Sequence, residues 1–199
     1  MEENTSNLRE KLENLSNKKK FEKIIALLTP EVLEKEKDKV AELYIWRGNA
    51  RYSIKDYDSA MADYNKAIEI NPNYDLAFYN RGAGWVVKKE YNKAIADYTR
   101  VLNIDKHYAD AYVSRGNIIR TVRKQYDKAI TEYTKAIEIE ANLAKAYYYR
   151  GLAKKQKLAK RQNNIDLNDI KLYLNEIKFD FEKYLKLTTD EKDIGTKYA

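Results

Sequence analysis

AELYIWRGNARYSIKDYDSAMADYNKAIEINPNY, residues 41 to 74, carries Gly48 inside an aromatic helical stretch, then Ala60, Tyr64, Ala67 and Pro72. Outward from it the same order returns. Arg47-Gly48, Arg81-Gly82, Arg115-Gly116 and Arg150-Gly151 place glycines 34, 34 and 35 residues apart, followed in the first three cases by Ala60, Ala94 and Ala129 and by Tyr64, Tyr98 and Tyr133. A constant period near 34 marks a solenoid of helix-turn-helix units. Glycine inside a helix costs about 1 kcal/mol against alanine, so its recurrence needs a packing reason. Gly48 and Ala60 belong where two antiparallel helices cross most closely, with Tyr44 and Tyr64 filling the space beside them. One such pair cannot bury its outward apolar stripe alone, so at least three must stack.

The residues Tyr44, Gly48, Ala60, Tyr64, Ala67 and Pro72 resemble the tetratricopeptide-repeat family in type and spacing. That resemblance implies an all-α, right-handed α-α superhelix whose first helices line a concave groove for peptides or partner helices. This chain departs from the family in one respect: arginine stands before each glycine where the family has a leucine-like residue. Each repeat also has an acid just before its second-helix aromatic, namely Asp63, Asp97, Glu132 and Asp180. Because the paired helices touch there, the pattern predicts one arginine-carboxylate pair per repeat, Arg47 with Asp63 and Arg81 with Asp97 among them, the alternative being a row of ligand-binding arginines.

Residues 1–40 read as divergent capping helices. Leu8, Leu12 and Leu15 form one stripe and Phe21, Ile24 and Leu28 a second, and Thr29-Pro30 starts a short third helix running into EVLEKEKDKV. Four repeats follow at 41–74, 75–108, 109–143 and 144–187. Helices are expected at 41–54 with 57–70, 75–89 with 91–104, and 109–123 with 126–140. The third repeat holds one extra residue near Arg123-Lys124-Gln125. In the fourth, the second-helix pattern returns late, at Ile177, Phe181 and Tyr184, so about 161–169 reads as an enlarged turn, with the last helix ending near Leu187 and 188–199 a flexible tail.

The chain has 199 residues and no cysteine, which removes disulfides, thiolate catalysis and Cys-based zinc sites. The charged N-terminal stretch is no signal peptide, and no apolar run reaches 18 residues, so a cytoplasmic protein without membrane spans is expected. Enzyme chemistry lacks its parts. His107 is the one histidine and falls in an inter-repeat turn, and no phosphate loop or nucleophile elbow occurs. Asp166, Asn168 and Asp169 lack the glycine and closing glutamate of a calcium loop and read as capping residues. No cofactor and no metal are expected.

The resemblance assigns groove-facing slots residue by residue. Ile45, Trp46, Asn49 and Tyr52 come from the first repeat, Tyr79 and Asn80 from the second, Val113, Asn117 and Arg120 from the third, and Tyr148 and Tyr149 from the fourth. Asparagine can donate to and accept from a peptide backbone, and Trp and Tyr bring contact area at small entropic cost. Asn49 and Asn80 occupy the asparagine slots of the clamp by which some family members hold acidic chaperone tails. Its basic slots are Ile45, Asp110 and Ser114 here, so the clamp is absent. A protein or peptide ligand in the groove is the first functional reading. Lysines and arginines also gather where first helices end, and from Lys145 to Arg161 there are seven bases and no acid. Arg123, Lys124, Lys154, Lys155, Lys157, Lys160 and Arg161 would then form a basic ridge. Complementing helix dipoles accounts for part of it, and an adaptor for nucleic acid or an acidic protein is the alternative function.

Overall fold

The computed structural model describes residues 2–36, 39–160 and 166–197, with side chains over 8–36, 39–160 and 166–189. Every regular element among them is helical: α1 (Glu2–Asn17), α2 (Phe21–Leu27), α3 (Pro30–Lys35), α4 (Val40–Ser53), α5 (Tyr57–Ile70), α6 (Asp75–Val87), α7 (Tyr91–Ile104), α8 (Ala109–Thr121), α9 (Tyr126–Ile139), α10 (Ala144–Lys160) and α11 (Leu167–Lys197). The helices of the first three repeats begin and end within two residues of the sequence expectation. The chain divides into two compact units, residues 1–104 and 105–199.

In the first unit, α1 and α2 close on α4 through Leu12, Ile24, Leu28, Leu33 and Leu43. The next layer holds Ile45, Ala60, Met61, Tyr64, Ala67 and Ala77. The glycines do lie at a close approach, but against the second-helix tyrosine rather than against Ala60. A Cβ on Gly48 would stand 2.6 Å from Tyr64 Cε1, and one on Gly82 would stand 2.8 Å from Tyr98 Cε1. Short α3 stops at Lys35 rather than continuing through the charged stretch, where like and unlike charges alternate with nothing apolar to bury.

In the second unit, Val113, Ala129, Tyr133, Ala136, Ala146 and Ala153 form the core of α8 to α10. Gly116 repeats the close approach, 2.8 Å from Tyr133 Cε1, while Gly151 faces Phe181 at 3.2 Å. Two expectations about the fourth repeat are corrected. Leu167 to Asp169 are helical, not part of a turn, because Asp166 precedes the helix and its backbone carbonyl accepts from Ile170 N at 3.1 Å; residues 161–165 of the expected enlarged turn lie outside the described residues. The last helix also does not stop near Leu187 but runs to Lys197. Thr188 and Thr189 stay in it by donating their hydroxyls back to the carbonyls of Tyr184 and Leu185, at 3.0 and 3.1 Å.

First helices end in one recurrent way. Lys19, Lys55, Lys89 and Lys124 adopt positive φ, between 52° and 67°. Around them Lys20 N, Asp56 N and Glu90 N reach back to Leu15 O, Arg51 O and Trp85 O at 2.8 to 2.9 Å, closing the helix as glycine usually does. The third repeat places its extra residue here, with Gln125 N bonding Ile119 O at 3.1 Å.

Candidate functional site

The arginine-acid pairs set the floor on which the site stands. Arg47 donates to Asp63 at 2.7 Å, Arg81 to Asp97 at 2.7 Å, Arg115 to Glu132 at 3.1 Å and Arg150 to Asp180 at 2.6 Å. Each is as the spacing predicts. The sequence did not show that these arginines can also reach the preceding element: Arg47 donates to Leu28 O at 2.9 Å, Arg81 to Asn65 Oδ1 at 2.8 Å and Arg150 to Thr134 Oγ1 at 3.2 Å. A guanidinium with five donors in a fixed fork can bond its own repeat's acid and the helix before it at once. Arg51 adds a second cation to Asp63 at 2.8 Å, and Lys154 a second to Asp180 at 3.0 Å.

On α4 and α6 of the first unit, Asn49 and Asn80 meet. Tyr64 passes beneath Gly48, and its hydroxyl donates to Asn49 Oδ1 at 2.9 Å. Asn80 Nδ2 donates to the same oxygen at 2.9 Å. The Asn49 carbonyl is thereby saturated, leaving its amide nitrogen as a donor and the Asn80 carbonyl as an acceptor at the surface. Together with Tyr52, Ser53 and Ala83 these groups line a shallow pocket of about 200 Å³ that holds no charged side chain. Burial is the main cause that pushes the Tyr64 phenol well above its ordinary range, so it remains a hydroxyl donor at any physiological pH. Tyr52 packs edge-on against Tyr57 at 5.2 Å, and the half-buried Tyr79 tilts on Tyr98 at 5.6 Å. Ile45 is not where its groove slot puts it: it is buried among Ala60 and Met61, because α5 offers apolar surface that solvent does not. Trp46 is partly buried against the core that holds Leu12, Ile24 and Leu43.

In the second unit the motif recurs with a cation added. Tyr133 OH donates to Asn117 Oδ1 at 2.9 Å. Arg120 Nε donates to Tyr133 OH at 3.3 Å, its Nη1 donates to Gln156 Oε1 at 3.2 Å, and the guanidinium lies 5.6 Å over the Tyr149 ring. Arg120 is therefore a buried structural cation rather than an open groove residue, and Val113 is likewise core. Tyr149 stacks on Tyr133 at 6.0 Å, and the more open Tyr148 packs on Tyr149, Phe181 and Tyr184 at 5.4, 6.0 and 5.1 Å.

The basic ridge is thinner than the sequence suggests. Lys154 does not stand on it: it is buried, bonded to Asp180 and to Glu176 at 3.2 Å. Lys157 pairs with Asp127 and lies 5.4 Å over the Tyr173 ring, Lys145 pairs with Asp110, and Lys88 with Asp58. Acids distant in sequence supply what the acid-free run lacks. Lys155 and Lys160 are exposed, as are Arg123 and Lys124 at the end of α8; Arg161 lies outside the described residues. Lys124, Lys128, Lys157 and Lys160 surround a pocket of about 530 Å³ that also contains Asp127. His107 is exposed in its turn, with its backbone N–H on Asp105 Oδ1 at 2.8 Å. Among the described residues there is no cluster of three metal-ligating side chains, and no helix is long and apolar enough to cross a membrane.

Comparison with known proteins agrees with this geometry. The family model for the TPR (tetratricopeptide) repeat matches residues 48–83 and 119–157. Among solved structures, MamA superposes with a TM-score of 0.70 at 22% identity, over 92% of this chain and 96% of that one. YrrB, a TPR protein described as having an unusual peptide-binding site, gives 0.61 at 17% identity over 94% and 89%. The first TPR of Spaghetti (RPAP3), solved with the HSP90 peptide SRMEEVD, gives 0.56 at 24% identity over 60% and 93%. Identities this low speak for the fold alone. No curated protein matches the chain.

Proposed function

Since the chain belongs to the tetratricopeptide-repeat family, whose members are generally protein-interaction scaffolds, we propose that it is a non-enzymatic scaffold capturing an extended peptide segment on the faces of its first helices. The observation that carries this reading is the paired amides of Asn49 and Asn80, oriented by the Tyr64 hydroxyl beside an uncharged pocket. One free donor and one free acceptor side by side match the alternating N–H and C=O of a peptide main chain, and the absence of a cation there suits backbone recognition better than capture of a carboxylate. Tyr52 supplies amphipathic contact area beside the paired amides. That YrrB and the first TPR of Spaghetti are described with peptide sites supports the reading by likeness of fold.

The test couples affinity to folding. A partner recovered by affinity capture and mass spectrometry is titrated against native protein and Asn80→Ala. Loss of the paired amide should cost about 1 to 3 kcal/mol of binding, because a ligand amide is left unsatisfied, while melting is unchanged. Normal binding by a folded Asn80→Ala protein would move the partner to another surface. The alternative is an acidic protein or nucleic acid at the lysines about Lys124 and Lys160, favoured by the open pocket between them. It would show as steep salt dependence, lost in Lys124→Glu and Lys160→Glu.

A further inference from the structure

We propose that α11 is a self-association surface, on which the same helix of a second copy docks antiparallel. Among the described residues, half of the large apolar side chains open to solvent lie on this helix, Leu167, Leu172, Leu174, Phe179 and Leu185; of these Leu167, Leu174 and Leu185 share one face, with Leu174 at 51% and Leu185 at 57% exposure. The second helices of earlier repeats show what their equivalents do. On α5, Met61 and Ile68 lie under α6, with Met61 packed against Gly84. On α9, Ile130 and Ile137 lie in the core shared with Ala146 and Ala153 of α10. Aligning Phe181 with Tyr64 and Tyr133 brings Lys178 and Leu185 into those positions. This face of α11 is thus built to carry a helix, while α10 occupies a different face, through Ile177, Asp180 and Phe181.

Its charge pattern selects the occupant. Leu174, Lys178 and Leu185 recur at intervals of four and seven residues on a single helical stripe, beside the Phe181 edge that α10 covers. Lys178 and Glu182 stand one turn apart in the middle of it. When two such stripes run antiparallel about a two-fold axis near residue 180, Leu174 of each copy lies within one residue, about 1.5 Å along the helix, of Leu185 of the other. Lys178 of each then meets Glu182 of the other. Apolar ends and opposite charges are matched by one operation, which is the self-complementarity an isologous interface requires. The polar outer face of α1, with Arg9, Glu10 and Glu13 exposed, offers no such match for a head-to-tail contact.

Sedimentation velocity over a concentration series up to millimolar reads the association. Native protein should form a dimer, whereas Lys178→Glu and Glu182→Lys should each shift the equilibrium at least about tenfold toward monomer through like charges at the seam. Mixing the two variants should restore the dimer, because each now carries the sign the other lacks. The chain has no cysteine, so Leu174→Cys and Leu185→Cys variants report position directly: a short bis-maleimide should join the mixture and leave each variant alone unlinked, since 174 to 174 spans about 16 Å along the helices. A native protein that stays monomeric throughout, or a dimer that ignores the charge variants, overturns the proposal. Melting temperatures of the variants, expected at the native value, exclude misfolding as the cause.

Discussion

Asp180 should be the most costly single carboxylate to remove from this protein. It is 0% exposed and accepts from Arg150 Nη2 at 2.6 Å, from Arg150 Nε at 3.1 Å and from Lys154 Nζ at 3.0 Å. Asp180→Ala leaves two cations in place with side chains only 13% and 11% exposed. Arg150 keeps the Thr134 hydroxyl and Lys154 keeps the half-exposed Glu176. Neither neutralises the guanidinium. Breaking a buried pair by deleting one partner costs about 3 to 5 kcal/mol, against about 0 to 1 for an exposed pair such as Lys88 with Asp58.

Denaturant unfolding of Asp180→Ala and Asp58→Ala measures the contrast, with the slope checked for an unchanged transition. The triple variant Arg150→Met, Lys154→Met, Asp180→Leu should recover most of the loss, since apolar residues of similar volume commonly replace a buried ion pair without penalty. A loss below about 1 kcal/mol in Asp180→Ala would show that water reaches the pair and that these arginines do not staple the repeats.

Further outcomes follow from the same geometry. Gly82→Leu should lose about 1 to 3 kcal/mol or more, because even a methyl there collides with Tyr98; a native melting temperature would refute the close crossing. Lys89→Gly should gain about 0.5 to 1 kcal/mol, since an L-residue at φ 60° is strained and glycine is not, less the entropy glycine adds to the unfolded chain. The Tyr133 phenol is pushed up to about 12 by burial, partly opposed by the Arg120 hydrogen bond. Its folded value lies above the ordinary value near 10, so its contribution is complete below about pH 10 and is lost as pH rises from there to about 12. Tyr133→Phe should be less sensitive to alkali over that window, read by melting temperature against pH.

What the sequence disclosed and what it hid divide along one line: the range over which a residue's partner is determined. Arg47 and Asp63 lie 16 residues apart within one helix pair, so period and residue type alone named the partner, and all four arginine pairs formed; Gly48 was given its close approach but not its contact, Tyr64 in place of Ala60. Lys154 was misread because its acid, Asp180, lies beyond the insertion that breaks the period, and Lys157 because Asp127 sits on a different repeat. A count of bases along a segment sees neither. Trp46 was given to the groove by its slot, and it is partly buried against a core that includes Leu12 and Ile24 of the divergent capping helices as well as Leu43 of its own helix. The Asn49–Asn80 contact shows the opposite case. Its members are 31 residues apart, three short of a full period, and three residues is one turn back on the next first helix. A register offset of this kind is readable from the repeat itself, whereas burial of Arg120 on Tyr149 and Gln156 is not, because it depends on which large side chains the following repeat happens to carry.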